Sequence, residues 1–265
     1  MSAQAWELLA TPQEVEDSAW ELFHENSKIT HYDRAMTEAA ASAYLAQIPE
    51  ALPFDGLPQV KLPESGLPPV LLAEAMARSA EARELEQGSI PVEAAAALLR
   101  YACGAAGGAG EGERRRRSVV SEGLLFPLEL FVHSSRVAGL APGLYHYSSP
   151  GNSLRLLRAG DHSQKFAAAL LNAQWAQAAA LTVFIAAIPE RSVFRYGDRG
   201  YRFVLLEAGG VLQNLNLAAA ALDLACANTG EFCDGEIDDV LDFDGLSISA
   251  LYVVGVGKAS SNANK

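Results

Sequence analysis

The stretch RYGDRGYRFVLLEAGGVLQNLNLAAAALDL, residues 195–224, contains the longest helical pattern in the sequence. Its apolar side chains recur at steps of three and four, as on one face of an α-helix: Tyr201, Leu205, Ala208, Leu212, Leu215, Ala219 and Leu222. A second apolar face predicts that the helix is covered on most sides; it contains Val204, Leu206 and Val211. Polar residues that would lack partners in hydrocarbon argue against a membrane span; they are Glu207, Gln213, Asn214 and Asn216.

The beginning of this stretch, residues 195–202, holds three arginines and two tyrosines, and we predict a charged, aromatic loop. Salt bridging at a domain surface is one explanation of this composition. The other is that the loop borders an anionic, aromatic ligand, because guanidinium groups pair with anions and stack on rings.

The charge balance argues against nucleic-acid binding. The chain has 265 residues, a net charge of −12 and a pI near 4.9, whereas nucleic-acid affinity comes from neutralising phosphates with Lys and Arg. The basic run at residues 114–117 is local. It is either a solvated charge run or a segment from which an arginine reaches a phosphate or a flavin carbonyl.

The cysteines and histidines predict no metal site. Three cysteines lack CxxC spacing, and five histidines lack paired spacing, so a zinc site and a disulfide scaffold are both disfavoured. Cys103 and Cys226 have apolar neighbours and are expected in the core. We find no secretory signal, and we therefore expect a cytoplasmic protein without a membrane segment.

The order of the predicted elements favours an α+β fold. Residues 1–70 are predicted to form an N-terminal helical and proline-rich wrapping segment, with helices from Thr11 and over residues 37–46 and six prolines between 49 and 69. Residues 71–265 are predicted to form the main domain. Its elements are helices over 71–85, 89–101, 163–176 and 234–241, buried strands over 128–134, 180–188 and 250–255, and a hairpin over 143–157. The glycines at 104–110 follow a helix, so a phosphate loop is rejected.

Several segments together resemble the SagB-type flavin dehydrogenases of the FMN-dependent nitroreductase superfamily, which include azoline oxidases that act on ribosomally made peptides. The most specific is RYGDRGYR…EAG…QN in residues 195–214. The other segments are FHENSKITH at 23–31, the helical stretch at 78–104, SEGLLFPLELFV at 121–132, GLYHY at 143–147, and the tail from TGEFCDGEIDDVLDFDG to ALYVVGVG.

The resemblance implies a mixed central sheet flanked by helices, an intertwined homodimer, and FMN held at the dimer interface. It also implies four groups of cofactor-binding residues. These are Arg78, Ser79 and Arg83; Arg117, Ser121 and Gly123; the loop Thr229, Gly230 and Glu231, whose backbone amides would face the flavin; and Lys258 for the FMN phosphate.

The same resemblance places a catalytic pair at Arg195 and Tyr196, where azoline oxidases often carry Lys-Tyr. Arginine cannot lose its proton at ordinary pH. A base at this point is therefore Tyr196, whose pKa the neighbouring guanidinium groups of Arg195 and Arg199 would lower.

Three functions follow as hypotheses. The first is an FMN-dependent dehydrogenase that oxidises azolines on a precursor peptide, working with a cyclodehydratase and using oxygen to reoxidise the flavin. The second is an NAD(P)H-dependent nitroreductase or another small-molecule flavin oxidoreductase. The third is a scaffold subunit of a peptide-modifying complex without catalysis.

Overall fold

A central β-sheet with helices on both faces organises the part of the chain that the computed structural model describes, residues 19–31, 36–47, 52–79, 84–106, 116–171 and 173–260. The strands are β1 Gln59–Lys61, β2 Leu85–Glu86, β3 Ile90–Pro91, β4 Leu128–Ser134, β5 Val137–Ala138, β6 Gly143–Ser148, β7 Ser153–Ala159, β8 Leu181–Ala187, β9 Ala225–Thr229 and β10 Ser249–Ala259. The sheet runs β1-β7-β6-β4-β8-β10-β2, and β9 also pairs with β10. All of these pairings are antiparallel, and the parallel pair β3–β5 forms a separate small sheet.

Helices cover both faces of this sheet. They are α1 Ala19–Asn26, α2 Glu38–Leu45, α3 Leu72–Ser79, α4 Val92–Cys103, α5 Ser163–Ala169, α6 Glu190–Tyr196, α7 Asp198–Ala221 and α8 Asp234–Leu241. One hydrophobic cluster joins α4 and α7 to the sheet, and a second joins α5 and α8 to its other face. Successive side chains of β4 and β8 enter the two clusters alternately, because the side chains of a strand point to opposite faces in turn.

The structure confirms the α+β class and most predicted elements. Strand β4 has the predicted bounds, and the hairpin, the buried strand near residue 184 and α8 lie where the sequence placed them. Thr37 caps α2, since its side chain accepts a hydrogen bond from the Ala40 N–H. Cys103 and Cys226 are both buried. The predicted helix from Thr11 lies outside the described residues.

The prediction of a loop at residues 195–202 is wrong, because two helices meet there. Helix α6 ends at Tyr196, Gly197 breaks the helix with φ 56° and ψ −147°, and α7 begins at Asp198. Gly200 lets the two helices approach closely, since an added Cβ would lie 2.7 Å from the Ser192 carbonyl carbon. The sequence predicted a loop because glycine is common in loops. Here the same glycines permit the break between two helices and their close approach.

Two arginines of α7 form hydrogen bonds with the end of α1. Arg202 donates through Nε to Ser27 Oγ at 2.7 Å and through Nη2 to the His24 carbonyl oxygen, and Arg199 donates to the Ser27 carbonyl oxygen at 3.3 Å. Cationic side chains at a helix C-terminus satisfy its unpaired carbonyls. Both arginines thus donate to neutral oxygen atoms at the end of α1, and in the described part of the chain neither forms the salt bridge that the sequence suggested.

Helix α7, with 24 residues, is long and apolar enough to cross a membrane by length and composition. Core helices of soluble proteins can have the same length and composition. Helix α7 packs on α3, α4 and α6, and half of its apolar 18-residue stretch is buried. Glu207 and Asn216 lie on its buried side. These features are those of a core helix.

We predict that Gly200→Ala lowers the free energy of unfolding by about 1–3 kcal/mol, because the new methyl group overlaps the α6 backbone. The matched control is Gly209→Ala in the same helix, where an added Cβ meets nothing within 4 Å. This control should raise stability by about 0.5–1 kcal/mol through helix propensity. Urea unfolding measures both, and equal effects at the two positions would contradict the close helix contact.

Candidate functional site

The segment that leads into β4, residues 117–126, is held against α7. The Asn214 side-chain amide donates to the Ser118 carbonyl oxygen at 2.9 Å. One turn earlier, a Cβ added to Gly210 would lie 3.1 Å from Val119 Cγ2, so the helix backbone approaches the segment closely. Asn214 of the EAG…QN pattern and Gly210, the residue after its glycine, therefore hold the segment that the resemblance assigns to the flavin.

The loop 121–126 has an unusual backbone. Gly123, Leu124 and Phe126 have φ values of 63°, 54° and 46°. For the two non-glycine residues this left-handed conformation costs on the order of 1–2 kcal/mol each, so surrounding contacts must hold it. One such contact is the Phe126 N–H, which donates to Ser121 Oγ at 2.9 Å.

Tyr196 and Gly123, predicted to act in one site, lie together. An added Cβ on Gly123 would lie 2.6 Å from the Tyr196 hydroxyl oxygen, so only glycine allows the hydroxyl this close to the loop. The Arg195 guanidinium carbon lies 5.4 Å from the centre of the Tyr196 ring. The end of α6 thus brings a phenol and a cation to the predicted flavin strip.

A buried charge network joins α6 to this strip. Arg191 donates through Nη1 to Glu129 Oε1 at 2.5 Å and to the Phe126 carbonyl oxygen at 3.2 Å. The other oxygen of Glu129 lies 2.9 Å from His146 Nε2. Burial pushes the pKa of Glu129 up, but the hydrogen bond with His146 and the charge of Arg191 outweigh it and lower the pKa.

Arg117 also belongs to this cluster. Its Nη1 donates to the Leu128 carbonyl oxygen at 3.2 Å and lies 3.6 Å from Cys103 Sγ, and its guanidinium carbon lies 4.8 Å from the Phe126 ring centre. Burial raises the pKa of the Cys103 thiol against the opposing effect of Arg117. Cys103 is therefore a packed thiol rather than a nucleophile.

Glu207 completes the cluster from α7. Its side chain is buried, and Oε1 has no hydrogen-bond partner among the described residues. Burial raises its pKa to about 7, against the opposing effects of the Ser121 hydroxyl, Arg117 and Arg191. A buried carboxyl group with a pKa near neutrality is a frequent feature of functional sites.

Arg78 and Ser79, from the first group of predicted cofactor-binding residues, lie on the protein surface. Arg78 Nη1 is 2.6 Å from Asp223 Oδ1, and its Nη2 is 2.6 Å from Glu74 Oε1. The Ser79 hydroxyl donates to the Met76 carbonyl oxygen at 2.9 Å. Two carboxylates thus pair with the guanidinium in this conformation, and Arg83 lies outside the described residues.

The remaining predicted residues lie along β9 and β10. Lys258 pairs with β2 at one end of β10, and its side chain packs over Gly88. The loop at Gly230 and Glu231 follows β9 and lies toward the opposite end, near Tyr252. The Glu231 N–H donates to Thr229 Oγ1 at 2.9 Å, so this amide is occupied within the loop. The 121–126 loop, at the start of β4, lies toward the same end as the Gly230 loop, with two strands between them.

The sequence reasoning missed three charged residues that build the site: Glu129, Arg191 and Glu207. A signal for two of them, Glu129 and Glu207, is present in the sequence. Glu129 interrupts an apolar strand, and Glu207 interrupts an apolar helix. A charge inside an apolar run needs a buried partner, but the pattern alone does not say which partner it finds.

The family model described as "Nitroreductase family" matches residues 1–258. The chain belongs to the nitroreductase family. This is a family of flavin oxidoreductases, and its cofactor is FMN. The antiparallel sheet covered by helices on both faces is the fold of this family.

Two relatives and one solved structure are similar to this nitroreductase-family chain. MJ1384 of Methanocaldococcus jannaschii, which carries a nitroreductase name, is 36% identical over 129 residues, or 49% of this chain. The trifolitoxin-processing protein TfxB of Rhizobium leguminosarum bv. trifolii is 29% identical over 145 residues, or 53% of this chain. The matches span 65% of MJ1384 and 39% of TfxB, less than two thirds of either relative.

The solved structure is the E. coli microcin synthetase McbBCD complex with truncated pro-MccB17 bound. Its matching chain has 20% identity and a TM-score of 0.57, and the match covers 91% of this chain and 92% of that one. At this identity the likeness shows a shared fold.

We predict that Arg191→Met lowers the free energy of unfolding by about 3–5 kcal/mol, because Glu129 would stay buried without its cation. The matched control is Arg100→Met, which breaks the exposed pair with Glu64 at 2.7 Å and should cost under about 1 kcal/mol. Chemical denaturation compares the two. A loss at Arg191 no larger than that at Arg100 would refute a buried network.

Proposed function

We propose that this chain is an FMN-dependent dehydrogenase that oxidises azolines to azoles on a ribosomally made precursor peptide, together with a cyclodehydratase. The observation that carries the proposal is the Tyr196 hydroxyl against Gly123. This contact supports the proposal, because the Tyr196 hydroxyl, as the proposed base, would then lie at the strip expected to hold the flavin.

The residues of the 117–126 strip fit FMN. Gly123 is exposed, and without a side chain it leaves room for the Tyr196 hydroxyl beside the loop. Arg117, Ser121 and Gly123 would hold one part of the cofactor, and Lys258 with Arg78 and Ser79 the phosphate. Gly230 and Glu231 would hold another part, for which the Glu231 N–H would have to leave Thr229 Oγ1. Arg78 would have to exchange its ion pairs with Asp223 and Glu74 for the phosphate oxygens, and such exposed pairs are weak.

We propose that two copies of the chain complete the cleft. Helices α3 and α7 pack together, and their outer side carries exposed apolar side chains. These are Leu72, Met76, Leu205 and Leu206, of which Leu206 is 72% exposed. An apolar surface of this kind is typical of an interface. A second copy is the proposed occupant because the predicted flavin-binding groups lie at opposite ends of β10.

In the proposed reaction an azoline ring loses a hydride and a proton and becomes aromatic. FMN, when bound, supplies a two-electron acceptor that oxygen regenerates. Tyr196 would take the proton at its hydroxyl oxygen, and the Arg195 guanidinium carbon lies 5.4 Å from the centre of its ring. The loop 121–126 would position the reacting carbon of the substrate beside the Tyr196 hydroxyl, and such positioning can supply a large part of the rate enhancement.

A role in processing is supported by the relative TfxB, whose name describes the processing of trifolitoxin. The McbBCD likeness supports only the fold. The name of MJ1384 supports a second candidate function, an NAD(P)H-dependent nitroreductase. The two functions differ in their reductant and substrate, so a single set of assays separates them.

We predict that the FMN-loaded protein, given an azoline peptide and oxygen, produces a mass loss of two hydrogens. Mass spectrometry measures this directly. Rapid NADPH oxidation with a nitroaromatic compound, without any mass loss on the peptide, would favour the second candidate. A protein that binds no FMN would overturn both and favour a scaffold role.

We predict that Tyr196→Phe lowers kcat for the azoline by about 100-fold or more, because general-base catalysis contributes roughly 10²–10⁴-fold. FMN affinity, followed by flavin fluorescence, should stay within about twofold. The control is Tyr201→Phe on α7, whose ring packs on Phe23 and which should leave kcat unchanged. Equal loss of FMN affinity and activity would show that Tyr196 is structural.

A further inference from the structure

A cavity of about 360 Å³ lies between the segment 52–57 and the end of α8. Its walls are the rings of Phe54, Phe131 and Phe243, together with five leucines and Ile248. These side chains belong to the hydrophobic cluster on the face of the sheet covered by α5 and α8. The strip 117–126 packs through Val119 into the other cluster, with α4 and α7. The cavity is therefore separate from the predicted flavin site.

The size of the cavity is that of a binding site. Protein interiors leave few voids larger than a water molecule, and an unfilled void costs stability in proportion to its volume. An engineered apolar cavity of about 150 Å³ already binds benzene. The cavity here has more than twice that volume, which leaves room for a ring with further atoms attached.

The phenylalanine rings of the cavity favour an aromatic or branched apolar group. Phe131 and Phe243 meet edge to face, with ring centres 4.8 Å apart, and Phe54 meets Phe131 in the same way at 6.5 Å. Rings arranged like this offer both edges and faces to another ring. Because the rings also support one another, the cavity is formed before a ligand enters.

Among the described residues that line the cavity, two carry charge: Arg158 and Asp242. Arg158 Nη1 donates to the Val240 carbonyl oxygen at 3.0 Å, so the last turn of α8 holds the guanidinium in place. This bond uses one of the five N–H donors of a guanidinium. Asp242 directly follows α8, and its carboxylate offers acceptors only.

A neutral group that both accepts and donates hydrogen bonds suits this pair better than an ion does. An anion would be repelled by the carboxylate of Asp242, and a cation by the guanidinium of Arg158. A peptide group offers one carbonyl acceptor and one N–H donor. The lining therefore fits a large apolar side chain with a peptide group beside it.

We propose that the cavity binds a large apolar side chain of a peptide, whose backbone accepts a hydrogen bond from Arg158 and donates one to Asp242. The precursor of the proposed function is such a peptide, and the inference rests on that function for this identification alone. A hold on the precursor away from the flavin strip would raise the local concentration of the azoline at the strip.

The test uses the whole 265-residue chain and three probes. These are N-acetylphenylalaninamide, N-acetylglycinamide, which lacks the apolar side chain, and toluene, which lacks the amides. Methyl NMR signals of the leucines and the isoleucine of the cavity report binding. N-acetylphenylalaninamide should bind with a dissociation constant on the order of 1 mM, and the other two about tenfold or more weakly. Equal binding of either of those two overturns the proposal.

Asp242→Gly tests the hydrogen bond to the peptide group. The variant removes the acceptor without straining the backbone, because a φ of 64° suits glycine. It should weaken N-acetylphenylalaninamide binding about tenfold. The matched control is Asp223→Gly, which also lies at a helix end with positive φ, 55°, and should bind like wild type. Equal affinities of the two variants would rule out the peptide assignment.

Leu57→Trp tests the location of the site, because the larger side chain should fill the cavity and abolish binding of N-acetylphenylalaninamide. The control is Leu246→Trp, at a position that is 83% exposed, and it should bind like wild type. A Leu57→Trp protein that binds as well as this control would place the probe elsewhere and refute the site. Shifts of the same methyl signals on dilution of the unliganded protein would assign the cavity to a second copy and also refute it.

Failure of this inference can be told apart from failure of the proposed function. If N-acetylphenylalaninamide binds but no azoline peptide loses two hydrogens, the proposed function fails and the peptide site stands. If an azoline peptide is oxidised but no probe binds in the cavity, this inference alone fails. An azoline precursor that is oxidised without shifting the methyl signals of the cavity would contradict its identification as the ligand.

Discussion

The buried pair of Arg191 and Glu129 is the constraint on which the candidate site depends. A buried ion pair repays its desolvation only with good geometry and additional hydrogen bonds, and here His146 and the Phe126 carbonyl oxygen supply them. The pair fixes the start of α6 to the sheet. Since Tyr196 ends the same helix, the position of its hydroxyl is set by a charge contact in the interior.

Helix α7 combines a packing role with a chemical one. Its apolar side chains fill the cluster shared with α4, while Asn214, Gly210 and Glu207 meet the strip in successive turns. A strained loop needs surroundings that over-determine it. Of the polar residues that interrupt this apolar helix, Asn214 also holds the segment that leads into β4, whereas the side-chain oxygen of Asn216 accepts a hydrogen bond from Asn228.

The sequence predicted the parts of this fold that depend on periodicity. Strand β4 and helix α8 follow from continuous apolar runs and spacing. The helix junction at Gly197 was not predicted, because the sequence pattern does not distinguish a glycine that ends a helix, or one that allows close packing, from a glycine in a loop. The approach of Tyr196 to Gly123 is likewise set by tertiary packing between residues that are distant in sequence. The resemblance to a known family placed Tyr196 and Gly123 in one site. The place of Glu207 and Arg191 in that site became clear only from the burial and the contacts of their side chains.

The short strand β1 protects the border of the sheet. Residues Gln59–Lys61 pair with Leu154 and its neighbours in β7, so the proline-rich segment supplies the last strand on that side. Unpaired strands at a sheet border are templates for intermolecular association. A truncated chain that starts near residue 71, where the sequence divides the two predicted units, would leave β7 bare. Such a chain would be prone to aggregate through this strand even with all its proposed flavin contacts intact.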